Sequence, residues 1–224
     1  MLSSDNGAVI WDVDGTLVDT AELHFQAWAE LCKSLDRPFS RDDFAATFGR
    51  RNPEIFQYLF GDRFNEQGMA ELGFRKEELY RAAARQGVEL LPGARPLLEG
   101  LHAAGFKQAI GSSAPLANIE LILEITQSDR FFDTITSAED TQRGKPDPQV
   151  FLVAAHKLGV GAGRCVVVED AVAGVQAAKA GGMKCIAVRF VGHHPEDKLR
   201  AAGADLVVHT LGQVTVQTVR DLLG

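Results

Sequence analysis

Cysteine is scarce in this chain: Cys32, Cys165 and Cys185 are three, an odd number with no close pair. That argues against a disulfide framework or a cysteine-built zinc site and predicts reduced thiols whose role is packing. Long apolar runs are missing too, and none approaches the roughly 20 residues that a membrane span needs. The opening residues 1–7 carry neither the cationic patch nor the apolar run of a signal peptide. A cytoplasmic protein with no membrane partner is the expectation. A basic run is also lacking. With 23 Lys and Arg against 30 Asp and Glu, the formal net charge is −7, which disfavours a protein that tracks a phosphate backbone. Nucleic acid is therefore not an expected partner.

What is present is the composition of an ordinary globular protein, 46% hydrophobic and 24% charged in 224 residues. Short β-branched runs occur at 8–11, 108–110, 134–136, 165–168, 185–188 and 205–208. Most are too short and too continuously apolar for amphipathic helices, and they read as strands buried on both faces. From Pro92 onward helical patterns lie between them, at 93–104, 115–125, 148–158 and 171–180. Strand, helix, strand repetition with short links predicts a doubly wound α/β core on a parallel sheet. The stretch from Thr20 to about Leu91 holds no good strand. Phe25, Trp28, Cys32 and Leu35 recur at helical spacing on one face, followed by helical patterns at 55–60 and 66–85. The expected organisation is a core domain of residues 1–18 and 92–224 with a small helical cap, residues 19–91, inserted in it.

Ligands of open α/β sheets collect beyond the carboxyl ends of the strands. Asp12-Val13-Asp14-Gly15-Thr16 follows the first strand, Gly111-Ser112-Ser113-Ala114 the second, and Glu169-Asp170 the fourth. Glu139, Asp140 and Gly144-Lys145-Pro146-Asp147-Pro148 lie between the third strand and the next helix. If both strands are central, Asp12, Asp14, Glu169 and Asp170 crowd together. Two like charges 4 Å apart repel by about 1 kcal/mol in water and about 4 kcal/mol at an effective dielectric of 20. Such a cluster calls for a cation, and a few hard oxygen ligands with room for water suit Mg²⁺. The competing account, loop acids as turn formers or helix caps, fits one pair better than two pairs at matched strand ends. Thr16, Ser112 and Lys145 can donate to an anion, and a lysine in a rigid turn can meet phosphate as a point charge. Ser112 read alone fits a helix cap equally well.

Asp12-x-Asp14-x-Thr16, then Ser112, Lys145 and Glu169-Asp170 in that order, resembles the haloacid dehalogenase superfamily of phosphotransferases, and the likeness spans nearly the whole chain. The helical insert resembles the cap of the subfamily containing β-phosphoglucomutase and phosphoglycolate phosphatase, and residues 19–28 are similar to the start of the β-phosphoglucomutase cap. Trp11 stands where Phe is usual, with no chemical consequence expected. The resemblance implies that Asp12 is a nucleophile forming an aspartyl-phosphate. It implies Mg²⁺ held by Asp12, the Asp14 backbone carbonyl and Asp170, with Glu169 orienting that metal shell directly or through water. Lys145, Ser112 and Thr16 would stabilise charge on the transferring oxygens. Asp14 would serve as general acid and then base, which at neutral pH needs a pKa above the free value of about 3.9. His24, just past a hinge at residues 18–20, would assist near that acid; alternatively it borders the apolar face, capped by a neighbour.

The resemblance also bears on the acceptor. In β-phosphoglucomutases the cap loop Lys-Gly-x-Ser-Arg grips the phosphate that is not transferred. Here the stretch reads Phe48-Gly49-Arg50-Arg51-Asn52, with Phe48 in place of the lysine and Asn52 in place of the arginine. Ser113-Ala114-Pro115 departs likewise from the mutase Ala-Ser-Lys. Water is thus the expected acceptor, and the expected activity is that of a monomeric phosphatase acting on a small phosphorylated metabolite such as a sugar phosphate. Arg50, Arg51, Asn52 and Ser113 are the candidates for substrate binding. A hexose phosphate mutase and a catalytically silent binding module are the alternatives. A dehalogenase would lack Asp14 and the acidic pair, and a phosphonate hydrolase would need a cap lysine by the hinge, where neither Lys33 nor Lys76 falls. Gly159-Val160-Gly161-Ala162-Gly163 precedes a strand and reads as a turn. His193-His194 reads as a solvent-exposed loop pair.

Overall fold

Four apolar residues, Ala8–Trp11, all buried, form the central strand β1 of the protein. The computed structural model describes residues 7–47 and 50–224. Strand β1 pairs in parallel with β2 (Lys107–Gly111) on one side and β4 (Cys165–Glu169) on the other, Trp11 standing level with Ile110 and Val168. The sheet extends outward to β3 (Thr134–Thr136) on the first side, and to β5 (Lys184–Val188) and β6 (Leu206–Val208) on the second. The order is β3-β2-β1-β4-β5-β6, all parallel. Chain order reverses between β1 and β4, and in such sheets the crevice at this reversal, past the strand carboxyl ends, is where ligands bind. The residues following Trp11 and Val168 emerge there.

Two compact units divide the chain: Met1–Asp19 with Glu89–Gly224, and Thr20–Val88. In the first, Ala8, Ile10, Ala109, Val167 and Cys185 of the sheet pack with Phe151 of α7 (Gln149–Leu158) and Val175 of α8 (Val172–Ala180). Each fully buried Val, Ile or Phe in that layer is worth about 1.5–3 kcal/mol against exposure. Gly111 admits this packing, since a Cβ there would stand 2.9 Å from both Ile10 Cγ2 and Phe151 Cδ1. Trp11 has a structural role. Its indole donates to Gln108 Oε1 at 3.1 Å, and Gln108 Nε2 donates to the Leu98 carbonyl at 3.1 Å, so a buried glutamine is satisfied by the residue that precedes Asp12.

The second unit contains α1 (Ala21–Ser34), α2 (Arg41–Thr47), α3 (Asn52–Phe60) and α4 (Glu66–Ala84). Trp28, Phe39, Phe44 and Phe56 make its core, Trp28 and Phe56 meeting edge to face at 5.1 Å. Of the expected α1 stripe, Trp28 and Cys32 are buried while Phe25 and Leu35 are half-buried. Phe25 is covered instead by the Arg41 guanidinium, 3.6 Å from its ring centre and paired with Glu22 through both nitrogens.

Further details differ from the sequence expectations. The last strand begins at Leu206, because the Asp205 carboxylate is turned to accept from the Cys185 amide at 2.8 Å and from Lys179 at 2.6 Å. Helices α5 (Ala94–Ala103) and α6 (Leu116–Ile125) fall where expected, and short helices α9 (Glu196–Ala201) and α10 (Val216–Leu223) add to the expected set. The His193–His194 pair is only partly as expected: His193 is exposed but His194 half-buried, and burial lowers the pKa of both below the usual histidine range. The glycines at 159–163 do form the turn into β4, Gly159 closing α7 at φ +67°. All three cysteines are buried and free. Among the described residues no helix is long and apolar enough to cross a membrane.

Candidate active site

The loop leaving β1 is wound around one carbonyl. Val13 O accepts from the amides of Thr16 (3.3 Å), Leu17 (2.9 Å) and Val18 (3.2 Å), while Gly15 N donates to Val18 O at 2.8 Å. Gly15 sits at φ +85°, and a Cβ on it would fall 2.1 Å from Asp170 Oδ2. The backbone of the first loop thus lies directly against the carboxylate from the second, and only glycine permits it. Gly174 does the same for Glu169, whose Oε1 would lie 1.7 Å from an added Cβ.

Lys145 ties the two loops together. Its ammonium, on a side chain 7% exposed, donates to Asp12 Oδ1 at 2.5 Å and to Glu169 Oε1 at 2.7 Å. Glu169 Oε2 accepts the backbone amides of Asp170 and Ala171, both at 2.7 Å. Burial opposes the charge on Lys145, but the adjoining Asp12 and Glu169 carboxylates more than offset it and hold the pKa above the usual lysine range. Burial drives Asp12 up to about 7 against the pull of Lys145, and Glu169 and Asp14 add to the rise. Asp170 is pushed well above the carboxylate range by burial, then by Glu169 and Asp12.

Two buried carboxylates raised this far beside a single ammonium mark a site short of positive charge. That is the condition a divalent cation relieves. Among the described residues no three His, Cys, Asp or Glu side chains converge as a complete metal cage. Both oxygens of Glu169 already accept hydrogen bonds, and Asp12 and Asp170 are the buried carboxylates beside it. A hard ion that keeps several waters and is shared with a phosphate, as Mg²⁺ does, fits so sparse a set.

Anion donors lie on the same edge. Thr16 is fully buried, and its Oγ1 has no hydrogen-bond partner among the described residues, a condition that a bound oxyanion would satisfy. Ser112, at the end of β2, is 2% exposed and its Oγ accepts from Ala114 N at 3.1 Å; Ser113 beside it is half-buried. The other acids of this edge have structural partners. Glu139 accepts from Leu116 N at 3.0 Å, Asp140 caps Ser137 and pairs with Lys157, and Asp147 pairs with Arg143.

The remaining candidates belong to the second unit. His24 is half-buried, stacked on Tyr80 at 4.2 Å, with Lys76 Nζ 2.8 Å from its Nδ1. Asn52 begins α3 and donates through Nδ2 to Glu77 Oε1 at 2.8 Å. Arg51 is half-buried before it and Arg50 is exposed. Phe48 and Gly49 lie outside the described residues. Sequence reading set Lys76 aside as remote from the hinge, although its ammonium reaches His24, and passed over Glu77; the two are 2% and 5% exposed and paired at 3.0 Å. Their only sequence signal is two adjacent charges on a helix whose period turns them inward.

Known proteins are similar to this chain over most of its length. Residues 7–182 match the haloacid dehalogenase-like hydrolases. The β-phosphoglucomutase of Bacillus subtilis is 33% identical over 221 residues, covering 96% of this chain and 94% of that protein. Hexitol phosphatase A of Escherichia coli is 34% identical over 209 residues, 92% of each. The crystal structure of CbbY from Rhodobacter sphaeroides in complex with phosphate superposes with a TM-score of 0.83 at 27% identity, over 92% of this chain and 95% of that one. An acidic crevice at the strand reversal, bridged by one lysine, and this breadth of likeness lead to one assignment: the chain belongs to the haloacid dehalogenase-like hydrolases.

Proposed function

We propose that the protein is a Mg²⁺-dependent phosphatase that hydrolyses the monoester of a small phosphorylated sugar or sugar alcohol through an aspartyl-phosphate on Asp12. The observation that carries this reading is the Lys145 bridge between Asp12 and Glu169. It fixes a buried carboxylate for attack and leaves the third ammonium proton for a phosphoryl oxygen. Mg²⁺, held by Asp12, Asp170 and the Asp14 carbonyl, would supply the positive charge that lets a carboxylate approach an anionic phosphate.

The chain's own groups would do the rest. Asp12 attacks phosphorus and the ester P–O bond breaks, with Asp14 giving its proton to the departing oxygen. Asp14 then takes a proton from water as that water attacks the phosphoryl group, and inorganic phosphate leaves with Asp12 restored. Thr16 Oγ1 and Ser112 steady the phosphoryl oxygens. Glu169 keeps Lys145 charged and aimed while its second oxygen anchors the turn that carries Asp170. Arg50, Arg51, Asn52, Ser113 and His24 are assigned to recognition of the rest of the substrate.

Water as acceptor is favoured by Asn52, a neutral residue committed to Glu77 where the mutases carry arginine. The second reading, hexose 1- and 6-phosphate interconversion, is favoured by the likeness to a β-phosphoglucomutase over 96% of the chain. A cytosolic location fits three unpaired, buried cysteines. Incubation with hexose 1-phosphate, a trace of bisphosphate and Mg²⁺ tests the choice. Release of inorganic phosphate supports the phosphatase, and conversion to the 6-phosphate without release replaces it with the mutase. An intact protein that turns over no aryl or sugar phosphate refutes both and leaves a binding module.

A further inference from the structure

Lys145 stands on the loop between β3 and α7, and one side chain that the reaction above does not use fastens that loop on both sides of it. Gln149, the first residue of α7, accepts through Oε1 from the backbone amides of Gln142 and Arg143, both at 3.0 Å. Its own amide donates to Asp147 Oδ1 at 3.0 Å, and the Asp147 amide donates to the Gly144 carbonyl at 3.0 Å. The chain before and after Lys145 is thereby closed on the start of α7. That helix is itself fixed, because Val150, Phe151, Ala154 and Ala155 are buried in the core of the first unit. The Phe151 ring centre lies 4.8 Å from the Lys145 ammonium.

The other tie across the loop is weaker. Arg143 pairs with Asp147 at 3.0 Å, but its side chain is 71% exposed, and exposed pairs add little. Gln142 and Arg143 are exposed, so water can take the place of Gln149 at their amides and no buried group is left unpaired. Removing the Gln149 acceptor would therefore loosen the loop without unfolding the domain. Lys145 is far less tolerant of movement, since its ammonium meets Asp12 Oδ1 and Glu169 Oε1 at once. A shift of about 1 Å in a catalytic group can cost on the order of 10²-fold in rate.

We infer that Gln149 is a positioning residue for Lys145: its side-chain carbonyl locks the 142–149 loop onto α7 and so holds the ammonium between Asp12 and Glu169. The kinetic consequence rests on the proposed phosphatase reading; the placement of Lys145 does not.

The test uses the full chain with Mg²⁺ and a sugar phosphate. Gln149→Leu, which removes the acceptor, should lower kcat at least tenfold with KM within about threefold of the parent. Gln149→Glu, which keeps an acceptor oxygen at the same reach, should stay within about threefold in kcat. In a Lys145→Met background Gln149→Leu should cost less than about twofold more, because no ammonium is left to position. A merely structural role would lower kcat by the same factor in both backgrounds, and that result, or a leucine variant as active as the parent, overturns the inference. A second readout needs no turnover. The metal-free protein is treated briefly with an amine-acylating reagent, and labelling of Lys145, 7% exposed, is compared by peptide mass with that of Lys33, 81% exposed. Gln149→Leu should raise the Lys145-to-Lys33 ratio at least fivefold and Gln149→Glu should leave it unchanged; a ratio that stays at the parent value in the leucine variant overturns the inference even where kcat falls. If Gln149→Leu fails to fold, Gln149→Met is read in its place. If the parent hydrolyses no phosphate ester, the phosphatase reading fails separately, and the labelling ratio alone decides whether Gln149 holds Lys145.

Discussion

Replacing Lys145 by methionine keeps the length of the side chain and removes its charge. The structure gives the size of the effect. Lys145 is buried and supplies charged hydrogen bonds to two buried carboxylates, at 2.5 Å and 2.7 Å. Removing one partner of a buried ion pair costs about 3–5 kcal/mol, because the other is left uncompensated. Here the cost depends on pH. Asp12 already titrates near 7, and without the ammonium its pKa moves higher. Below about pH 6 the acid protonates and avoids much of the penalty; at pH 8 it does so only by taking a proton from dilute solution. Urea unfolding in metal-free buffer should therefore show a loss of about 3–5 kcal/mol at pH 8 and a clearly smaller loss at pH 5.5. Turnover with Mg²⁺ should fall at least about 10²–10³-fold, the usual effect of deleting a donor to developing charge. A loss under about 1 kcal/mol at pH 8, against the 3–5 expected of a buried pair, would refute the reasoning. So would equal losses at the two pH values.

Asp12→Asn isolates the proton linkage. A raised folded-state pKa means that the native protein binds the extra proton between about 3.8 and 7, so this carboxylate's contribution to stability falls as pH rises through that window. The asparagine variant should melt several degrees above the metal-free parent at pH 8, with the gap narrowing as pH falls through that window and closing towards its lower end; a gap that stays constant contradicts the shift. Asp43, Asp140 and Asp205, whose pKa values are lowered, contribute stability that is lost only below the ordinary carboxylate range, outside that comparison. Gly174→Ala would thrust a methyl group against Glu169; a loss of about 1–3 kcal/mol in urea unfolding is expected, together with a fall in kcat as Lys145 is displaced, and an unchanged kcat would show the contact to be slack. Trp11→Phe orphans Gln108 Oε1 and should cost about 1–3 kcal/mol, most of it recovered in Trp11→Phe/Gln108→Leu; a double variant no better than the single would locate the loss in packing instead.

The strands were readable because nothing competes with the reading: Val166-Val167-Val168 is fully buried in the middle of the sheet, so its run carries no helical period. The same burial made the ends of β1 and β4 readable as one edge, and the two acidic pairs there as one cluster. Short elements were harder to see. Helix α9 spans six residues after Pro195, too few for periodicity to show, and α2 spans seven. Side-chain commitments were not visible at all. That Glu169 grips Lys145 and two amides depends on rotamers and on the room left by Gly174. Lys76 meets His24 across 52 residues of sequence, a pairing that exists only once α1 and α4 have packed. The hydrogen bond from Trp11 to Gln108 was equally hidden, since the two lie 97 residues apart.

The central claim is that Asp12 carries the phosphoryl group, and trapping that group tests it most directly. The protein is mixed with a turned-over phosphate monoester and Mg²⁺, quenched within a turnover, reduced with borohydride and digested, and the peptide containing residue 12 is weighed. The account expects homoserine in place of Asp12, formed only when Mg²⁺ is present and absent from Asp12→Asn. Turnover that proceeds with Asp12 never modified, or modification undiminished after chelation of the metal, would contradict it.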